Sequence, residues 1–297
     1  MKSGIIVINK GEGITSQGVV NRVKRLMGEK KAGHTGTLDP LATGVLPVLI
    51  GRGVKASEYM LSSDKHYRAE LLLGKTSDTE DITGNILTES DNIPEEETVL
   101  SVISGFVGES LQTPPMYSAL KIGGEKLCDL ARRGVTVERE ARKITIHSID
   151  AERIGERLYS LDVHCSKGTY IRTLCADIGD RLGCGGLMNA LMRTKASCFT
   201  LEDAITLDEL EAMTAQERDA RIIPTERIFE KYEKVMLEPF FSRLARCGVE
   251  VYLKKIGKRL DCGTTVTLFD KDGFFALGEV REFDTGLAIK PIKQFDV

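Results

Sequence analysis

The chain has no apolar run long enough for a membrane span, which needs about 20 residues. It has no CxxC pair either. Its seven cysteines, Cys128, Cys165, Cys175, Cys184, Cys198, Cys247 and Cys262, are odd in number and scattered. That excludes a disulfide frame and a zinc ribbon, and points to reduced thiols in a cytoplasmic protein. The N-terminus carries only four consecutive apolar residues, Ile5 to Ile8, before Asn9. This reads as a strand and not as a signal peptide. There is no internal repeat and no low-complexity segment. There is no excess of positive charge, since the formal net charge is −3. What remains, 297 residues with 41% hydrophobic and 29% charged side chains, is an ordinary globular composition. The length allows one large domain and one small one.

The charge is unevenly spread. Ser77 to Val99 holds eight acids and no Lys or Arg. Setting those eight charges aside turns the net −3 into +5. Residues 1–60 carry nine basic and four acidic side chains, a basic bias compatible with a phosphate-rich partner. The acidic run lacks the glycine and ligand spacing of a calcium loop, and reads as a solvated segment.

The most informative stretch is Gly33-His34-Thr35-Gly36-Thr37-Leu38-Asp39-Pro40-Leu41-Ala42-Thr43-Gly44-Val45-Leu46. Three glycines and a proline forbid a regular helix or a central strand. The segment runs directly into the apolar Val45 to Ile50, so it is a held loop. Asp39 is its one acid, and Pro40 biases it toward extended backbone. Alone, Asp before Pro is most often a turn residue.

That loop resembles the signature of the tRNA pseudouridine synthase B (TruB) family. Pro114-Pro115-Met116-Tyr117-Ser118-Ala119-Leu120-Lys121 and Cys165-Ser166-Lys167-Gly168-Thr169-Tyr170-Ile171-Arg172-Thr173-Leu174 match it as well. One departure is Gly11, which stands where the family has proline after Lys10. The resemblance implies that Asp39 is the essential catalytic residue and that Arg172 pairs with it. It further implies contacts to the target base from Tyr67 and Leu191, a substrate-pocket position for Tyr170, and a wedge for displaced nucleotides at His34. By composition alone Tyr67 is a half-buried strand aromatic, Leu191 a core leucine and His34 a structural histidine. An arginine suits the partner role, because its planar fork grips a carboxylate at two points and would hold it ionised.

Periodicity places a strand at Ile5–Ile8, a helix at Gln17–Met27, a short helix at Ala56–Leu61 and strands at Lys65–Gly74 and Leu158–Cys165. Helices follow at Glu95–Phe106, after Arg172 and at Leu207–Met213; Leu187–Arg193 fits a helix or a strand. A linker is expected around Ile228–Glu238. Short strands with turns at Lys271-Asp272-Gly273 and Asp284-Thr285-Gly286 suggest a small all-β unit. The expected class is α+β. A catalytic domain, residues 1–232, surrounds a mainly antiparallel mixed sheet and carries an inserted basic thumb arm at about 123–143. A small C-terminal β-barrel, residues 236–297, resembles the PUA-type RNA-binding domain.

The implied reaction is isomerisation of uridine-55 in the T loop of tRNA to pseudouridine. It needs no cofactor and no metal. The expected partner is the tRNA T-arm stem-loop, bound by a monomer with no membrane and no protein partner. Two other classes fit the residues less well. One is an RNA-binding protein without chemistry, although Asp39 and Arg172 are both present. The other is a hydrolase or phosphotransferase with an Asp nucleophile, although no metal-binding acid cluster adjoins Asp39 in sequence.

Overall fold

The structure, a computed structural model, describes residues 2–295. Ile5–Ile8 lies within β1 (Gly4–Lys10). The Thr15 hydroxyl accepts from Gly18 N and caps α1 (Ser16–Met27), which buries Val19, Val20, Val23 and Met27. β2 (Ala32–His34) and β3 (Thr43–Ile50) flank the Asp39 loop. α2 (Ser57–Leu61) leads into β4 (Lys65–Leu73). Then come the hairpin of β5 (Lys75–Ser77) and β6 (Ile86–Glu89), α3 (Glu96–Ser104) and β7 (Gly108–Gln112). β8 (Lys121–Ile122) precedes the expected arm, which contains β9 (Glu125–Lys126) and α4 (Leu127–Arg132) and is exposed apart from Leu127 and a few half-buried residues. β10 (Arg142–Arg153), β11 (Leu158–Cys165), α5 (Ile171–Leu182), β12 (Gly186–Ala196), β13 (Phe199–Thr200), α6 (Leu207–Ala212) and α7 (Ala215–Ala220) follow.

The large sheet has the order β1-β3-β12-β4-β11-β10-β7, with β2 added to β3 and β13 to β12. It is mixed and mainly antiparallel. Among the described residues its one parallel pair is β3 with β12, through Thr43–Met192 and Gly44–Arg193. This sets the Asp39 loop beside the middle of β12. Leu187–Arg193, compatible with helix or strand by sequence, is the interior of that strand.

The second sheet comprises β14 (Glu233–Met236), β15 (Val251–Tyr252), β16 (Thr265–Asp270), β17 (Gly273–Phe283) and β18 (Gly286–Gln294). Its order is β14-β16-β17-β18-β15, and α8 (Pro239–Arg246) packs on it. The end strands β14 and β15 are not paired with each other among the described residues, so the expected barrel is open. β14 runs parallel to β16, so the strands of this unit begin at Glu233, inside the expected linker. The expected linker is not a free one: Phe229 is buried between the two sheets, against Tyr59, Phe274 and Phe295. No helix among the described residues is long and apolar enough to cross a membrane.

Candidate active site

The Asp39 loop is held from three sides. The first is the start of α1, where Ser16 Oγ donates to Leu38 O (2.9 Å) and accepts from Leu38 N (2.8 Å). The second is the Gly-rich turn after β1: Gly13 N donates to Pro40 O at 2.8 Å. The buried Lys10 Nζ donates to Gly11 O (2.9 Å), Pro40 O (3.1 Å) and Ala42 O. Burial pushes the Lys10 ammonium down to about 8, with the charge of Asp39 working against that shift. The third is β12, where the buried Arg193 donates from Nε to Val45 O (2.8 Å) and from Nη2 to Gly36 O (3.1 Å). Gly44 has φ +97°, and a Cβ there would lie 2.3 Å from Arg193 O. Only glycine permits this approach.

Asp39 and Arg172 meet as the sequence suggested, with Arg172 Nε 3.0 Å from Asp39 Oδ2. The two-point grip is absent. Arg172 Nη1 donates to Thr79 O (3.0 Å) and Nη2 to Tyr117 O (2.7 Å), so the guanidinium joins three loops. It reaches this position from the first turn of α5. The start of that helix is fixed by Gln112 of β7, which accepts from Tyr170 N (2.8 Å) and donates to Tyr170 O (3.0 Å). The net effect on Asp39 is also opposite to expectation. Burial raises its pKa; Arg172 opposes this, Asp81 adds to it, and Lys10 opposes it more weakly.

Above the carboxylate lies a cavity of about 320 Å³, lined by Asp39, Tyr67, Tyr170, Leu191, Arg193 and neighbouring loop residues. Five of the six expected residues therefore share one site: Asp39, Tyr67, Tyr170, Arg172 and Leu191. His34 does not line it. It sits half-buried on β2, with Nδ1 buried and without a hydrogen-bond partner. Burial and the charge of Arg193 lower its pKa.

The acidic segment, expected to be solvated, is in part structural. Asp81 is buried, and its Oδ2 lies 3.7 Å from Arg172 Nη1. Its Oδ1 accepts from Thr79 Oγ1 (2.8 Å), Thr83 N (3.0 Å) and Thr83 Oγ1 (2.6 Å). Glu80 adopts φ +63° and accepts from Thr173 Oγ1 of α5 at 2.6 Å. Asp81-Ile82-Thr83 is an Asx-turn pattern, which was the available signal for an ordered segment. Lys10 and Arg193 were missed in the same way. Their signal is a cation at the end of, or inside, an otherwise apolar strand.

Comparison with known proteins assigns the class. Residues 24–171 match the TruB family pseudouridylate synthase N-terminal domain, and residues 172–230 match the tRNA pseudouridylate synthase B C-terminal domain. The tRNA pseudouridine synthase B of Clostridium tetani is 44% identical over 93% of this chain and 95% of its own length. That of Alkaliphilus oremlandii is 42% identical over 95% and 94%. Among solved structures, a chain of a Cbf5-Nop10-Gar1 complex superposes with a TM-score of 0.69 at 27% identity, over 98% of this chain and 84% of that one. The chain belongs to the TruB family of tRNA pseudouridine synthases, isomerases that act on tRNA.

Proposed function

We propose that this enzyme isomerises uridine-55 in the T loop of tRNA, with Asp39 as the essential residue and no cofactor. The observation that carries this reading is the Asp39–Arg172 contact of 3.0 Å beneath a cavity walled by Tyr67, Tyr170 and Leu191. A cavity of about 320 Å³ lies at the small end of ligand sites and suits one extruded nucleoside. Extrusion costs a few kcal/mol of unstacking. Stacking on an aromatic ring returns about 1–3 kcal/mol and is indifferent to base identity. His34, at the loop edge outside the cavity, would support the displaced nucleotides.

The reaction breaks the N-glycosidic bond and forms a carbon–carbon one. A ring carbon loses a proton and a ring nitrogen gains one. No electrons are exchanged with an external carrier, so the chemistry calls for no nicotinamide or flavin. A carboxylate serves it as a nucleophile toward base or sugar, or as a base at the sugar. Residues 1–232 would perform this step as a monomer without a protein partner, the arm at 123–143 closing on RNA. The unit assigned to 236–297 would act as a PUA-like RNA-binding domain. Lys254, Lys255, Lys258 and Arg259 line a broad cavity there, which supports a phosphate-binding role.

The test is pseudouridine formation on an unmodified tRNA transcript, read by mass spectrometry. Asp39→Asn should abolish turnover and leave tRNA affinity within about tenfold, or ~1.4 kcal/mol. Turnover near that of the wild type in this variant would refute the role of Asp39. A product at another uridine would refute the site.

A further inference from the structure

Three of the chain's four histidines meet outside the Asp39 cavity. His66 lies between Lys65 and Tyr67, which line that cavity, so strand alternation turns it to the other face. His164 is its cross-strand partner on β11, and the two rings stack with centroids 4.0 Å apart and planes at 11°. His147 joins them through an irregularity in β10. The pairing of β10 with β11 steps from Ile146–Cys165 to Ser148–His164 and skips His147. Such a bulge leaves one extra residue unpaired and re-aims its side chain. The His147 ring thereby comes within 4.5 Å of the His164 ring, centroid to centroid.

Both imidazoles face one carboxylate. Asp64 Oδ2 lies 3.3 Å from His147 Nε2 and 3.8 Å from His164 Nε2. Both approaches are longer than an ordinary N–H···O hydrogen bond of about 2.7–3.2 Å. We propose that Asp64, His147 and His164 bind a zinc-class divalent transition-metal ion, with water in the remaining position. Tetrahedral zinc with bonds of about 2.0–2.1 Å sets its ligand atoms roughly 3.3–3.4 Å apart. The Asp64–His147 spacing already has this value. The three ligand atoms all lie within 4.8 Å of one another. Two imidazoles and one carboxylate select zinc, nickel, copper or cobalt over magnesium and calcium, which want all-oxygen shells. The side chains are about one-third to one-half exposed, which leaves an entry path. The stacked His66 ring orients His164 and is a positioning residue.

Titration of the full chain with Co²⁺ alone tests this. One equivalent should bind, with visible bands of nitrogen and oxygen coordination, no thiolate charge-transfer band, and displacement by Zn²⁺. Zn²⁺, but not Mg²⁺, should raise the unfolding temperature. His147→Asn and His164→Asn should each weaken binding at least about tenfold, the smallest loss typical of an outer-shell partner. If either variant folds poorly, Asp64→Asn, at a half-exposed position, gives the same readout. Equal affinity in wild type and variants would overturn the site, as would binding seen only with a thiolate band from the exposed cysteines.

Discussion

Arg172 meets Asp39 through Nε alone, because its terminal nitrogens hold the Thr79 and Tyr117 carbonyls. Arg172→Lys keeps the charge but offers one compact ammonium for sites several ångströms apart, so it should retain only partial activity. Arg172→Ala strands two carboxylates, Asp39 and the buried Asp81. The loss should approach the lower end of the roughly 3–5 kcal/mol typical of broken buried pairs, since the Asp39 side chain is 37% exposed and partly hydrated. Adding Asp39→Asn should recover only part of that loss, because Asp81 still faces the emptied space. A thermal-unfolding double-mutant cycle measures this, and strict additivity would mean the two side chains do not interact in the free enzyme. The sign of the Asp39 shift gives a pH test. Its folded pKa is raised by burial, so its contribution to stability is fully present below its unfolded pKa and is lost as pH rises through the folded value. Asp39→Asn on the native background should therefore raise the unfolding temperature at pH 7 and confer no such gain near pH 3, below the ordinary aspartate value of about 3.9. An equal shift at both pH values would remove burial as the cause.

α5 brings Arg172 to Asp39, and β12 brings Leu191 and Arg193. The two elements touch at a pair of glycines: a Cβ on Gly179 would lie 2.0 Å from Gly186 N. Helix propensity alone favours Gly179→Ala by about 0.5–1 kcal/mol. Here the sign should reverse, with a lower unfolding temperature and reduced turnover as α5 is pushed off the strand. An unchanged unfolding temperature would mean that this contact does not position the helix. What could be read from the sequence follows from the same packing. α1 has one buried and one exposed face, and β4 and β11 each alternate buried with half-buried or exposed residues, so their periodicity is plain. β12 lies between β3 and β4 and is largely buried, and its Leu-Met-Asn-Ala-Leu-Met run fits a helix as well as a strand. β10 buries only Ile144 and Ile146, too few to announce a strand of twelve residues. α8 was hidden because its eight residues follow directly on a presumed linker. The Asp39 loop was legible because its motif is contiguous. The part played by Asp81 was not, because its cationic neighbour Arg172 comes from α5, far along the chain, and composition alone assigns an acidic run to solvent.

At the scale of the molecule, β1 and β3 serve two sites at once. Ile6, Ile8, Leu46 and Val48 belong to the main core, while Ile5, Val7, Val45 and Leu49 belong to a second cluster that also contains Phe229, Leu277 and Phe295. That second cluster is the joint between the two sheets. Phe229 sits at its centre, with ring centroids 5.1 Å from Tyr59, 5.3 Å from Phe295, 5.7 Å from Phe274 and 6.3 Å from Tyr232. The Lys293–Glu58 ion pair at 2.6 Å also crosses the joint, but it is exposed, and such pairs contribute about 0–1 kcal/mol. The aromatic cluster must therefore carry the coupling. Truncation of a buried phenylalanine costs about 3–5 kcal/mol, so Phe229→Ala should weaken the link far more than Lys293→Ala. Calorimetry of the wild type should show one transition, with van't Hoff and calorimetric enthalpies in agreement. Phe229→Ala should lower the unfolding temperature and split the transition in two, the smaller sheet melting first. The Asp39 loop hangs from β3, whose other face lines this joint, so the variant should also lose turnover while each sheet remains folded at low temperature. Two well-separated transitions in the wild type would show that the cluster does not couple the sheets, and the effect of Phe229→Ala on turnover should then vanish as well.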